Sequence, residues 1–121
     1  MDLSEIKQDF ASATTRHFSF KTKLRSFLYG NGYEEGPLRD PDQCSLGQWI
    51  TDRRAGAYAH VPEMTELDAA HRRIHRDAAA LMDCHLAGHP NAAAGLPAVL
   101  DQAEAIVVLL QTIGRKLRTG P

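Results

Sequence analysis

At 121 residues the chain is long enough for one domain with a single core and too short for two comfortable ones. Hydrophobic residues make up 43% and charged residues 24%, ordinary values for a folded soluble protein. Fourteen basic and fifteen acidic side chains leave a net charge near −1, and no basic face of the kind a nucleic-acid binder carries is visible.

In chain order, Leu3, Ile6, Phe10, Ala13, His17, Phe20, Leu24 and Phe27 recur in steps of three and four. That spacing predicts one stripe of a long helix, with His17 standing where a hydrophobe is expected. Gly30-Asn31-Gly32 supplies left-handed C-cap conformations to end it. An irregular loop is expected from Tyr33 to Gln43, broken by Gly36, Pro37 and Pro41. Ser45 to Ile50 reads as a short helix with Leu46, Trp49 and Ile50 on one face. A second long helix opens at Pro62, and its stripe is Met64, Leu67, His71, Ile74, Ala78, Leu81 and His85. Gly88 and Pro90 close it. The last helix runs from about Asn91 to Arg118, with its true start nearer Leu96 because Pro97 fits only the first turn. Three long helices and a short one carrying the cysteine predict an all-α antiparallel helical bundle, a single domain over residues 1–121.

The stretch Met1 to Glu5 shows no basic region followed by an apolar run, so no secretory signal is expected. The longest strongly apolar run, Ile106 to Leu110, is too short to span a bilayer, and no membrane insertion is expected. Cys44 and Cys84 are too few for a disulfide scaffold, and a cytoplasmic chain keeps them reduced.

His71 and His75 stand one helical turn apart, so their rings can converge on one metal. Alone this pair is a weak signal, because two ordinary helix histidines give the same spacing. His17 adds weight from the stripe of a different helix. A single buried histidine is commonly a hydrogen-bonded core residue. Two stripe histidines on separate helices, with a third beside one of them, call for a shared partner, and a zinc ion supplies one. Cys44 is the candidate fourth ligand: just before the short helix, a thiolate gains from the helix N-terminus and nearby amides. Its other reading is a small buried hydrophobe. Three imidazoles and one thiolate fill a tetrahedral site and leave no position for water, which argues against a hydrolase. No Ser-His or Cys-His pair, phosphate-cradling loop or paired-carboxylate site suggests another reaction, so no enzymatic activity is expected. His85 and His89 share the i, i+4 spacing, but His85 lies about 21 Å along the helix from His71 at ~1.5 Å per residue. Cys84 is equally remote and reads as a structural, buried neutral thiol, and His60 as solvated.

His17 followed by Phe18 to Leu28, then Cys44-Ser45-Leu46-Gly47-Gln48-Trp49, then His71-Arg72-Arg73-Ile74-His75, resembles the chemoreceptor zinc-binding (CZB) domain. That family's pattern is a first-helix histidine, a Cys-x-hydrophobic-Gly-x-aromatic element and a later His-x-x-x-His. His17 matches the first ligand, Cys44 the second, and His71 and His75 the last two. The resemblance implies a helical bundle forming a symmetric homodimer with one zinc in each protomer. It also implies a sensory role in the cytosol, with a chemoreceptor or diguanylate cyclase as partner. The signal would be zinc availability or an oxidant such as hypochlorous acid acting at the zinc-bound cysteine. No signalling domain accompanies the motif, so the chain reads as a free-standing member acting through a separate partner, or as an excised domain. Dimerisation also agrees with Ile106 to Leu110, which is apolar around the whole helix circumference.

Three readings follow: a zinc sensor whose reactive element is Cys44, a zinc buffer or carrier, and an interaction bundle with purely structural zinc. In the first, Cys44 is oxidised before Cys84, and the segment Tyr33 to Ile50 loosens. A di-iron bundle is disfavoured because the stripes lack inward glutamates paired with Glu-x-x-His motifs.

Overall fold

The computed structural model describes residues 2–30 and 35–119. Among these it contains five α-helices and no strand: α1 (Leu3–Leu28), α2 (Gly36–Arg39), α3 (Ser45–Ala55), α4 (Glu63–Leu86) and α5 (Leu96–Thr119), the last preceded by a 3-10 turn at Ala92–Gly95. Asp2 caps α1 by accepting the Glu5 amide at 2.8 Å. Gly30 and Gly88, at φ +85° and +80°, take the left-handed conformation just beyond α1 and α4. The expected stripe of α1 is buried from Ile6 to Phe27, whereas Leu3 at its start is 60% exposed.

Two expectations change. The segment from 33 to 43 is not wholly irregular: Gly36–Arg39 forms one helical turn, with Pro37 in the first-turn position that its missing N–H suits. Residues 31 to 34, which include part of the expected C-cap and loop, lie outside the described residues. The short helix is also longer than expected, running on to Ala55. Its extension is held by tertiary contacts. Asp9 on α1 accepts from Trp49 Nε1 at 3.0 Å, from Arg53 Nε at 2.9 Å and Nη2 at 2.7 Å, and from the Tyr58 hydroxyl at 2.6 Å. Burial pushes the Asp9 carboxyl up, but these donors outweigh it and hold the group at about 2.

The contacts fix the direction of each helix. Phe27 meets His85 and Phe20 meets His75, so α1 and α4 run the same way. Lys116 pairs with Glu63, and Gln102 donates to Asp77, so α5 runs back along α4. Helix α3 starts beside the middle of α4 and ends where Arg54 reaches Asp68 and Arg53 reaches Asp9, so it also runs backwards. The result is an up-down-up-down bundle in which α3 and α5 oppose α1 and α4. Because α3 has only 11 residues, it spans about 16 Å and lines roughly half of the longer helices. Its N-terminus therefore falls at mid-bundle, against the histidine-bearing turns of α1 and α4.

The run Ile106 to Leu110 understates the apolar character of its helix. Ala92–Thr119 reaches mean hydropathy 1.6 over an 18-residue window, long and apolar enough by length and composition to cross a membrane, and a third of that window is buried. Leu96, Ala103, Ile106, Leu110 and Ile113 fill the core, while Val108 is 52% exposed.

Candidate metal centre

Three buried side chains, a thiol and two imidazoles, meet where α3 begins, and a fourth, His17, is buried on α1. His71 and His75 lie on consecutive turns of the core face of α4, at 2% and 1% exposure, and His17 faces them from α1 at 1%. Cys44 is the N-cap residue of α3, in extended backbone conformation, and is 4% exposed. The ligand atoms of Cys44, His71 and His75 all lie within 4.8 Å of one another. His17 lies outside that set of three, yet it is close enough for its charge to act on His71 and for that of His75 to act on it.

The hydrogen bonds decide which nitrogens can bind a cation. His75 Nδ1 lies 2.7 Å from the Leu38 carbonyl oxygen, to which it donates, so Nε2 is left as a lone pair. That Nε2 is 3.1 Å from His71 Nε2. Two nitrogens held at ~2.0–2.1 Å from one tetrahedral zinc are about 3.3 Å apart, so the pair is already at ligand spacing. His17 donates through Nε2 to the Ala103 carbonyl at 3.0 Å, and its Nδ1 is then a buried lone pair with no partner among the described residues. An orphaned acceptor in a core is costly unless something binds it. This donor set, two facing imidazole nitrogens, a thiol and an orphaned third imidazole, fits zinc.

The electrostatics agree. Burial draws His17 down to about 4, against the Ala103 bond and with help from Lys21 and His75. Burial, then His75, His17 and Arg72, draw His71 down to about 3. His75 is lowered by burial against the opposing Leu38 bond and Asp40. All three are therefore neutral near pH 7, the form a metal requires. Burial raises the Cys44 thiol, while the Gly47 and Leu46 amides and the charge of Lys23 favour the thiolate.

The second element of the site is Gly47, whose role spacing alone does not disclose. A Cβ there would collide with the Pro41 carbonyl oxygen and sit 2.9 Å from His71 Cε1. Only glycine lets α3 approach α4 closely enough to present its amide to Cys44 Sγ and its Cα to the His71 ring. Gly47→Ala should cost about 1–3 kcal/mol in thermal or urea unfolding, since the backbone carbonyl cannot yield, and should weaken zinc binding as well. Unchanged stability and metal affinity would show that the approach is not required. The carbonyls of Leu38 and Ala103 and the Asp9 clamp were likewise invisible in the linear pattern, because each depends on residues far away in sequence.

The remaining candidates separate cleanly. His85 packs on Phe27, 5.5 Å between ring centroids, and forms no metal-type cluster with His89 among the described residues. His60 is exposed, as expected. Cys84 is not buried: it is exposed, because it falls on the outer face of the last turn of α4 while Met82 and Ala78 point inward.

A family model described as the chemoreceptor zinc-binding domain matches residues 17–82, more than half of the 121, beginning at His17 and taking in Cys44, His71 and His75. No curated protein and no solved structure matches the chain. The family match and the convergence of Cys44 with His71 and His75 agree on the same segment, and the chain belongs to the chemoreceptor zinc-binding domain family, a family of zinc-binding sensory domains.

Proposed function

We propose that this chain is a sensor that binds one zinc ion through His17 Nδ1, Cys44 Sγ, His71 Nε2 and His75 Nε2, and that Cys44 is its reactive element. The observation that carries the reading is the convergence of Cys44, His71 and His75 on one buried point; the orphaned, buried Nδ1 of His17 on α1 is the candidate fourth donor. Zinc held there would keep the Cys44 sulfur deprotonated and tie α1, α3 and α4 together. The three histidines sit on two long helices, whereas Cys44 sits at the end of a short one after a turn. Cys44 is thus the ligand whose loss moves the least structure. Attack of its sulfur on the chlorine of hypochlorous acid forms S–Cl, breaks Cl–O and releases hydroxide. Water then displaces chloride and leaves the sulfenic acid, the sulfur having lost two electrons. The Cys44 turn and α2 would then shift, and the altered surface would be read by a chemoreceptor or diguanylate cyclase partner in the cytoplasm. No catalytic role is assigned to the site.

Stoichiometric hypochlorite followed by mass spectrometry and hydrogen exchange tests this reading. Cys44 should be oxidised ahead of Cys84 despite the exposure of the latter, with exchange rising chiefly from residue 35 to Ile50. Oxidation of Cys84 first, or a uniform rise over all helices, would favour a structural zinc. Zinc exchange with a chelator faster than any change in this segment would favour a buffer or carrier.

A symmetric homodimer is the second part of the proposal. It is supported by the apolar surplus of α5, where Val108 stays 52% exposed on a helix of high hydropathy. Sedimentation at micromolar concentration should give a dimer, and Val108→Glu should give a folded monomer with unchanged helicity. A wild-type monomer at all concentrations removes this part of the proposal.

A further inference from the structure

Where the N-terminal half of α1 meets the second half of α5, the surface opens into a recess of about 300 Å³. That is the space of about ten water molecules, at the small end of the range for ligand pockets, and it has room for a compact organic molecule. Its apolar wall is made by Phe10, Ala11 and Leu110. Phe10 is backed by Trp49, edge-to-face at 5.2 Å between ring centroids, and by Tyr58 at 5.3 Å, so the wall is in place before any ligand arrives. Gly114 completes it. A Cβ there would press on Phe10 Cγ at 3.2 Å, so glycine, a poor residue for mid-helix, lets the ring lie against the α5 backbone. The charges around this wall share one sign. Lys7 on α1 and Arg118 on α5 both line the recess, none of its lining residues is acidic, and neither cation has a carboxylate partner among the described residues. Arg118 Nε donates to the Gly114 carbonyl at 3.3 Å along its own helix, which leaves its Nη groups for another acceptor.

We propose that this recess binds a small organic carboxylate with an aromatic or branched apolar body, its carboxylate on Lys7 and Arg118 and its body against Phe10. Two cations beside a concave apolar wall attract an anion, and the wall rewards one whose charge is carried on an apolar body. A bare inorganic anion gains nothing from Phe10. The guanidinium suits a planar carboxylate, which it can meet with two parallel N–H bonds, while lysine adds a point charge. None of the lining residues is a candidate zinc ligand, so the recess is separate from the metal centre and independent of the chemistry at Cys44. Phe10 stands between the recess and Trp49, the one tryptophan of the chain, so that indole reports occupancy.

Hydrocinnamate, a phenyl ring on a short carboxylate chain, is the probe, and its neutral amide and acetate are controls that remove the charge and the body in turn. Each is titrated into the zinc-loaded chain and followed by Trp49 fluorescence and backbone amide NMR shifts. Hydrocinnamate should bind about tenfold tighter than either control at low salt, and its advantage over the amide should shrink as salt is raised. The largest shifts should fall at residues 7–14 and 110–118. Lys7→Gln and Arg118→Gln should each weaken hydrocinnamate several-fold and together bring it down to the affinity of the amide. Ala11→Leu, which fills the recess from an exposed helical position, should abolish binding of both, with helicity and zinc content unchanged. Equal affinity for acid and amide, an unchanged affinity in the double variant, or no binding at millimolar probe overturns the proposal. Acetate binding as tightly as hydrocinnamate would reveal a counter-ion only and overturns it too. If the probe splits a wild-type dimer in sedimentation, a second copy is the occupant of the recess, and the proposal falls.

Discussion

Replacing His71 or His75 with Ala is expected to take the purified chain from about one zinc ion per chain to almost none, while His85→Ala leaves the metal in place. The two imidazoles supply Nε2 atoms already 3.1 Å apart, so each deletion removes a donor that needs no rearrangement to bind. Loss of an outer hydrogen-bond partner at a metal site typically costs about 10–100-fold in affinity, and loss of a ligand should cost more. Stability supplies an independent readout. Metal bound only by the folded chain stabilises it by about 2.7 kcal/mol at a hundredfold excess over Kd, so a chelator should lower the wild-type melting temperature. In His71→Ala and His75→Ala the chelator should have no further effect. His17→Ala separates the fourth ligand from the other three: if Nδ1 binds zinc, affinity falls at least about tenfold, and if it does not, affinity is unchanged. Stoichiometric zinc in purified His71→Ala would sink the assignment.

The chelator-treated chain should lose stability as pH falls from about 6.5 toward 3. The three site histidines have folded-state pKa values below the ordinary 6.5, with His17 at about 4 and His71 at about 3. The unfolded chain therefore takes up protons first, and stability is full above 6.5 and declines as the pH drops toward those lower values. His17 alone accounts for about 3 kcal/mol across its window, so His17→Phe should make the decline between 6.5 and 4 shallower, leaving the share that His71 and His75 contribute. Asp9 acts lower and separately: held at about 2 against an ordinary 3.8, it contributes stability that is present above 3.8 and lost as pH falls toward 2. Urea midpoints measured at half-unit intervals would resolve the two windows, and a flat profile from 6.5 to 4 would contradict the buried neutral histidines. The same protonation states set the proton count of metal binding. Near pH 7 the imidazoles are already neutral and the thiol is protonated, so calorimetry in buffers of different ionisation heat should find about one proton released per zinc. Release of none would mean that Cys44 is not a ligand.

The helical spacing of apolar residues was enough to locate α1, α4 and α5, because an amphipathic stripe is a property of neighbours three and four apart and needs no partner to be read. The same stripes exposed His17 and His71 as polar residues in core positions, and the Cys-Ser-Leu-Gly element marked Cys44. The length of α3 and the turn at Gly36–Arg39 could not be read this way. Both are short segments whose helicity comes from packing: α3 is held by Asp9, some forty residues away, and propensity is weak beside such contacts. Exposure was likewise a tertiary decision, since Cys84 lies on a helix whose inner face is occupied by Ala78 and Met82, leaving the thiol outside. Sequence determined which donors this protein has and which helices carry them. Only the folded bundle decided that α3 stops at mid-height, that Gly47 lets it press against His71, and that the Leu38 and Ala103 carbonyls choose the nitrogen each imidazole turns toward the centre. Those outcomes depend on distances between residues dozens of positions apart, and the linear pattern does not encode such distances.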